Sequence, residues 1–387
     1  MSAKLGERFE RAREMTDPHR TTAIRRGVHV ASVDVSAFII PTDLPESDGT
    51  LEWNSTTLIV VQASGDGRTG VGYTYADRAA ASLVRTKLAE IVVGADAMDV
   101  ETSYVAMMQA VRNLGRQGVA ATAISAVDVA LWDLKARLLD LPLVSLLGAV
   151  REAVPVYGSG GFTSYSAEQL QLQLGGWVAE GVGAVKMKVG RDAAADRHRV
   201  ALARDAIGPD AQLFVDANGA YDRKRALAQA EAFARHEVSW FEEPVSSDDL
   251  DGLRLLRDRA PSGMDIVAGE YGYDIQYFRT MAAAGAVDVL QADATRCGGV
   301  TGFLKACTIC DAWSLPMSSH TAPSLHAHLC CAASRIRNLE YFHDHVRIEQ
   351  MLFDGALVPS RGLLRPDLSR PGLGIEFKRR DAERFAV

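Results

Sequence analysis

At 387 residues the chain is longer than one ordinary domain and suits a barrel joined to a smaller domain. A hydrophobic content of 48% with 24% charged residues describes a soluble globular protein, and a net charge of −7 leaves no basic footprint for nucleic acid. No apolar run nears the roughly 20 residues of a membrane span, and the charged opening MSAKLGERFERAREM lacks a signal peptide's apolar core, so a cytoplasmic protein is expected.

Residues 1–26 are polar and read as an N-terminal arm. Strand-like text begins at residues 28–35 and returns at 57–62. Between them, residues 41–53 are rich in turn formers and acids, which predicts a mobile loop. Gly65-Asp66-Gly67-Arg68-Thr69-Gly70 has G-x-G-x-x-G spacing. A dinucleotide site needs a helix directly after those glycines, because the helix N-terminus holds the pyrophosphate. The alternating run Val71-Gly72-Tyr73-Thr74-Tyr75 follows instead, so the stretch predicts a hairpin. Residues 78–148 are helical, most clearly 121–139, where Ala123, Val127, Ala130, Leu131 and Leu134 keep helical spacing. Residues 27–150 thus form an α+β domain.

From Val154 strand and helix alternate, with helices expected near 166–180, 222–236, 248–258, 275–285 and 301–313. Short, nearly continuous apolar runs are the mark of parallel strands buried on both faces. Residues 151–350 therefore predict a barrel, and the Gly-, Pro- and Leu-rich residues 351–387 a tail that packs back on the first domain. Five cysteines in a chain without a secretion signal argue against a disulfide framework. The lone Cys307-Thr308-Ile309-Cys310 lies in a helical pattern and reads as helix packing.

Seven reactive residues stand where successive apolar runs stop: Lys188, Asp216, Glu242, Glu270, Asp293, His320 and Glu340, spaced 20 to 28 residues apart. A (β/α)8 barrel spends roughly 30 residues per unit and gathers its chemistry at the C-terminal strand ends. Asp216, Glu242 and Glu270 on consecutive units can converge on one hard cation, for which Mg2+ fits best. Lys186 and Lys188, two apart on a strand, share a face. Their mutual repulsion and a metal's field are expected to lower the pKa towards that of a usable base. Asp293 can fix the tautomer of His320 to make a second acid/base. Glu340 either donates a hydrogen bond when protonated or serves as a salt-bridge partner.

This pattern resembles the enolase superfamily, mandelate racemase subgroup. The resemblance is carried by Lys186-Met187-Lys188, Val215-Asp216-Ala217-Asn218, Phe241-Glu242-Glu243-Pro244, Gly269-Glu270, the run Asp293 to Gly302, Pro316 to His320 and Leu339-Glu340, with residues 123–135 similar to the family's capping-domain helix. It implies a (β/α)7β barrel with an α+β capping domain built from both chain ends, and Mg2+ on Asp216, Glu242 and Glu270. It further implies Lys188 and the His320–Asp293 dyad as opposed bases, and Glu340 as electrophilic partner. Lys186, Asn218 and Glu340 would touch substrate, and residues 41–53 would set specificity. A Lys or His base working with Mg2+ on an ene-diolate is the known pattern of this family and comes with the resemblance, not from the spacing.

The expected reaction is removal of the proton α to a carboxylate, followed by dehydration of a sugar acid, an aldonate or aldarate, to a 2-keto-3-deoxy acid. The motive is the acceptor-rich loop with Asp43, Glu46, Asp48 and Glu52. Racemisation, epimerisation or cycloisomerisation of a 2-hydroxy acid is the alternative, and a catalytically silent carboxylate-binding protein a remote one. A zinc hydrolase would need a histidine-rich metal shell. The expected partners are a small carboxylate substrate and further copies of the chain, from dimer to octamer, without nucleic acid or membrane.

Overall fold

The computed structural model describes residues 27–387, so the arm expected at 1–26 lies outside the described residues. The first strand-rich stretch folds as an antiparallel sheet of β1 (Ser32–Ser47), β2 (Glu52–Gly65) and β3 (Arg68–Tyr75). The glycine-rich stretch is the β2–β3 turn. Asp66 and Gly67 both have positive φ, the backbone of a type I′ hairpin, and Gly65 pairs with Arg68. The sheet packs on a helix at Val119–Leu138, buried along most of its length.

Residues 41–53 are not the loose loop that their composition predicts. β1 continues through Ser47 and pairs with β2 up to Ser47–Glu52, with a register shift between Pro41 and Glu46. Three local contacts explain the order. Asp48 Oδ1 accepts the backbone N–H groups of Thr50 (2.5 Å) and Leu51 (2.7 Å), closing the turn. The Trp53 indole N–H donates to Glu46 Oε2 at 2.8 Å, and its ring meets Phe162 edge-on. The tip then docks on the barrel: Ser47 and Thr163 hydroxyls lie 2.6 Å apart, and a Cβ on Gly49 would come within 2.6 Å of the Ala217 carbonyl oxygen.

The barrel has eight parallel strands: β4 (Val154–Gly160), β5 (Ala184–Lys188), β6 (Gln212–Asp216), β7 (Val238–Glu242), β8 (Asp265–Ala268), β9 (Val289–Ala292), β10 (Met317–Ser319) and β11 (Ile336–Phe342). Neighbours pair in order, and β11 pairs with β4 to close it. Seven helices intervene, from Ala167–Ala179 to Pro323–Ala332, so the architecture is (β/α)7β. Helices at Ala193–Ile207 and Pro323–Ala332 had no counterpart among the expected ones.

Strand alternation explains where the chemistry sits. Tyr157, Ala184, Phe214, Trp240, Val267 and Val289 form one apolar cluster inside the barrel. Two residues further along the same strands stand Lys186, Asp216, Glu242 and Gln291, and Lys188 and Asp293 come two later again. The interior is thus an apolar plug topped by a polar layer at the strand C-termini. After β11 the chain returns to the first sheet. Phe38 bridges to Ala386, and Arg137 binds Glu376 (2.5 Å) and the Ile375 carbonyl (2.7 Å).

Candidate active site

Asp216 and Glu242 end β6 and β7, and Glu270 lies two residues past β8. All three are buried, and one carboxylate oxygen from each lies within 4.8 Å of the others. Lys188 Nζ is 2.5 Å from Asp216 Oδ2. Lys186 Nζ lies between Glu242 Oε1 (2.6 Å) and Glu340 Oε1 (2.8 Å), and 3.5 Å from Asp216. Across the cluster, the two ring nitrogens of His320 divide their contacts. Nδ1 is 2.8 Å from Asp293 Oδ2, and Nε2 is 3.3 Å from Glu270 Oε2. Lys188 and His320 therefore touch different members of one carboxylate triad.

Asn218 has positive φ, gives its N–H to Asp216 Oδ1 at 2.9 Å and lines the cavity, its side-chain oxygen buried without a hydrogen-bond partner. The residues singled out on the barrel strands (Lys186, Lys188, Asp216, Asn218, Glu242, Glu270, Asp293, His320 and Glu340) converge here. Others went unnamed. Trp240 and Gln291 donate to Glu242 Oε2 at 2.9 and 3.0 Å, and Arg296 reaches Glu270 Oε1 (3.3 Å) and Asp293 Oδ2 (3.5 Å). Trp240 and Gln291 could have been found, because each lies two residues before a named acid on the same strand face. Tyr75 and His345, which stack at 3.4 Å on the cavity wall, carried no such signal.

The chain matches two family descriptions: "Mandelate racemase / muconate lactonizing enzyme, N-terminal domain" over residues 28–148 and "Enolase C-terminal domain-like" over residues 169–382. The chain belongs to the mandelate racemase/muconate lactonizing enzyme group of the enolase superfamily. It is similar to a mandelate racemase/muconate lactonizing enzyme-like protein of Rubrobacter xylanophilus, with 55% identity and a TM-score of 0.91 over 93% of this chain and 100% of that one. A racemase of Streptomyces coelicolor solved with bound magnesium is 31% identical, at a TM-score of 0.87 over 92% of this chain and 100% of that one. The L-talarate/galactarate dehydratase of Salmonella typhimurium is 32% identical over 83% of each chain.

In this superfamily member the cavity above the triad measures about 450 Å3, with walls from both domains. Of the acids in 41–53, only Asp48 lines it. Glu46 is spent on Trp53, Asp43 pairs with His343 at 3.0 Å, and Glu52 with Arg191 at 2.7 Å. The polar character of the cap side comes instead from Ser55, Thr56, Thr57, Tyr75 and Asp77.

In the metal-free protein the site's own ion pairs set the charge balance. Burial opposes an ammonium at Lys188, but without a metal the Asp216 carboxylate outweighs both burial and the repulsion from Lys186, so its pKa is raised. Lys186 is likewise raised against burial by Glu242 and Glu340. Glu340 is held well below the usual carboxylate range, because Lys186 and His320 outweigh its burial. It accepts from Lys186 and from the Thr321 N–H (3.0 Å), which is the salt-bridge arrangement, not that of a protonated donor. His320 is raised because Glu270, Glu340 and Asp293 outweigh burial. Asp293 is lowered despite burial by its bond to His320.

The residues fit a divalent cation. Six carboxylates (Asp216, Glu242, Glu243, Glu270, Asp293, Glu340) share the barrel mouth with four cationic groups (Lys186, Lys188, Arg296, His320). Carboxyl groups thus outnumber cationic groups by two. The strain shows at Glu242, whose pKa burial and the neighbouring acids push up to about 8 against the pull of Lys186. Glu270 Oε2 and Glu243 Oε1 are buried without a hydrogen-bond partner. Carboxylate oxygens alone in the triad suit a hard ion such as Mg2+.

Proposed function

We propose that this protein removes the proton α to the carboxylate of a polyhydroxylated acid and expels the β-hydroxyl, dehydrating a sugar acid to a 2-keto-3-deoxy acid. The observation that carries the reading is the placement of Lys188 and His320 against opposite members of the Asp216–Glu242–Glu270 triad. Mg2+ held by that triad would stabilise the negative charge that develops on the substrate carboxylate as the α-proton leaves. Lys186 adds a fixed positive charge beside the same oxygens, and Glu340 and Glu242 hold its ammonium in place. One of the opposed pair, Lys188 or His320, takes the C2 proton. The other, protonated, delivers a proton to the departing C3 hydroxyl so that it leaves as water. The enol that remains takes a proton at C3 and becomes the 2-keto acid. Asp293 positions the His320 ring for its part.

The hydroxyl-rich cap side and the likeness to the talarate/galactarate dehydratase support dehydration. The opposed bases would equally serve racemisation or epimerisation, by returning a proton to the other face. The protein would act as a cytoplasmic homo-oligomer on a diffusible acid. No helix among the described residues is long and apolar enough to cross a membrane. Incubation with Mg2+ and a panel of sugar acids, with assay of 2-keto acid, tests the reading. Exchange of the α-proton with D2O without any loss of water would replace it with the racemase reading.

A further inference from the structure

The proposed reaction leaves open what the far end of the substrate carries. Resting on that reading, we infer that it is uncharged: the substrate is an aldonate-type monocarboxylate polyol, not a dicarboxylate. A bound carboxylate is fixed at the barrel mouth, so the rest of the carbon chain must extend towards the cap. There the cap lines the cavity with two acids, Asp48 and Asp77, and with hydroxyl groups. Among the described residues, the cap places no lysine, arginine or histidine on that wall.

The barrel does not make up the deficit. Of its cationic side chains on the cavity, Lys188 and His320 flank the triad, and Arg296 is engaged by Glu270 and Asp293. A second carboxylate reaching the cap would therefore meet Asp48 and Asp77, like charge against like, with no cationic side chain of the cap to offset its desolvation.

Neutral hydroxyls, by contrast, find what they need. Tyr75 Oη, His345 Nδ1 and Asn218 Oδ1 all belong to cavity-lining residues, and all three atoms are buried without a hydrogen-bond partner. Burial, with His320 adding to it, holds the His345 imidazole in its neutral form, so it offers one donor and one acceptor. The Tyr75 ring stacks on it at 3.4 Å and fixes both groups. A phenol, an imidazole and an amide oxygen form a set for reading uncharged hydroxyls, where a carboxylate would call for arginine or lysine.

The test uses the Mg2+-loaded protein and matched six-carbon pairs: gluconate with glucarate, galactonate with galactarate, mannonate with mannarate. Two readouts are taken on each, formation of 2-keto acid and exchange of the α-proton with D2O by proton NMR. In the reactive pair, the aldonate should exceed its aldarate by about 100-fold in kcat/KM or in exchange rate, the discrimination expected when a site opposes a misplaced charge. Asp77→Lys should narrow that ratio at least tenfold, chiefly by lowering the KM of the aldarate. An aldarate that reacts as fast as its aldonate, in either readout, overturns the inference and leaves dehydration standing if 2-keto acid forms. Aldonates that exchange without forming 2-keto acid uphold the inference and overturn dehydration. Silence of every pair in both readouts overturns both.

Discussion

His320 and Asp293 are joined by a 2.8 Å hydrogen bond between the ends of adjacent parallel strands, 27 residues apart in the chain. With Nδ1 committed to Asp293, the other ring nitrogen is aimed at the triad. Asp293→Asn keeps the shape and removes the charge, so the imidazole loses both its fixed tautomer and part of what raises its pKa. Turnover should fall by roughly 10^2- to 10^4-fold, by analogy with the serine-protease triad. The His320 titration, followed by NMR, should move to lower pH. An unchanged titration would mean that the dyad does not tune the ring.

The carboxylate excess predicts how metal-free stability depends on pH. Glu242 is raised to about 8 by burial and by its acidic neighbours, against roughly 4.3 in an unfolded chain. A group raised in the folded state contributes stability that is complete below its unfolded pKa and lost as pH climbs through its folded one. The metal-free protein should therefore lose Tm between about pH 5 and 8, and Glu242→Gln should flatten that slope. Mg2+ needs the ionised carboxylate, so its stabilising effect in the wild type should be larger at pH 8 than at pH 6. Calorimetry across that range checks both, and a metal effect that shrinks with pH would contradict the proposed ligand set.

Tyr75 should separate binding from folding. Its hydroxyl is buried without a partner, so Tyr75→Phe removes an unsatisfied group, and the free protein should keep or slightly raise its Tm. Substrate should suffer instead, with KM rising about tenfold for one lost hydrogen bond in a desolvated site. A clear drop in Tm would show that the hydroxyl serves the fold.

The hairpin tip offers a test of how the cap closes on the barrel. A Cβ on Gly49 would lie 2.6 Å from the Ala217 oxygen and 2.7 Å from the Val189 oxygen, both backbone atoms at strand ends that carry the site. Gly49→Ala should lift the tip, costing about 1–3 kcal/mol of stability as an overpacked contact. Steady-state kinetics should show KM rising more than kcat falls, because Lys188, His320 and the triad stay on the barrel.

The barrel and its reactive residues were legible one strand at a time. A strand buried on both faces is written as a largely apolar run, and the reactive residues cluster where each run ends, so spacing marked Lys188 through Glu340. The alternation of the hairpin β2–β3 was equally local, which is why the residues that follow the glycines were enough to tell that stretch from a nucleotide loop.

Where a property depends on what lies opposite, residue types misled. The acids of 41–53 suggested an open loop that reads hydroxyls, yet Glu46 satisfies Trp53 and Asp48 ties down its own turn. Two lysines on one strand suggested mutual repulsion as the governing term, yet carboxylates from three other strands lie within 2.8 Å of one or the other ammonium. Periodicity and composition report a residue's own environment along the chain. Pairing, charge balance and the cavity wall are sums over elements far apart in sequence, and they come into being only when β11 closes on β4 and the cap folds over the strand ends.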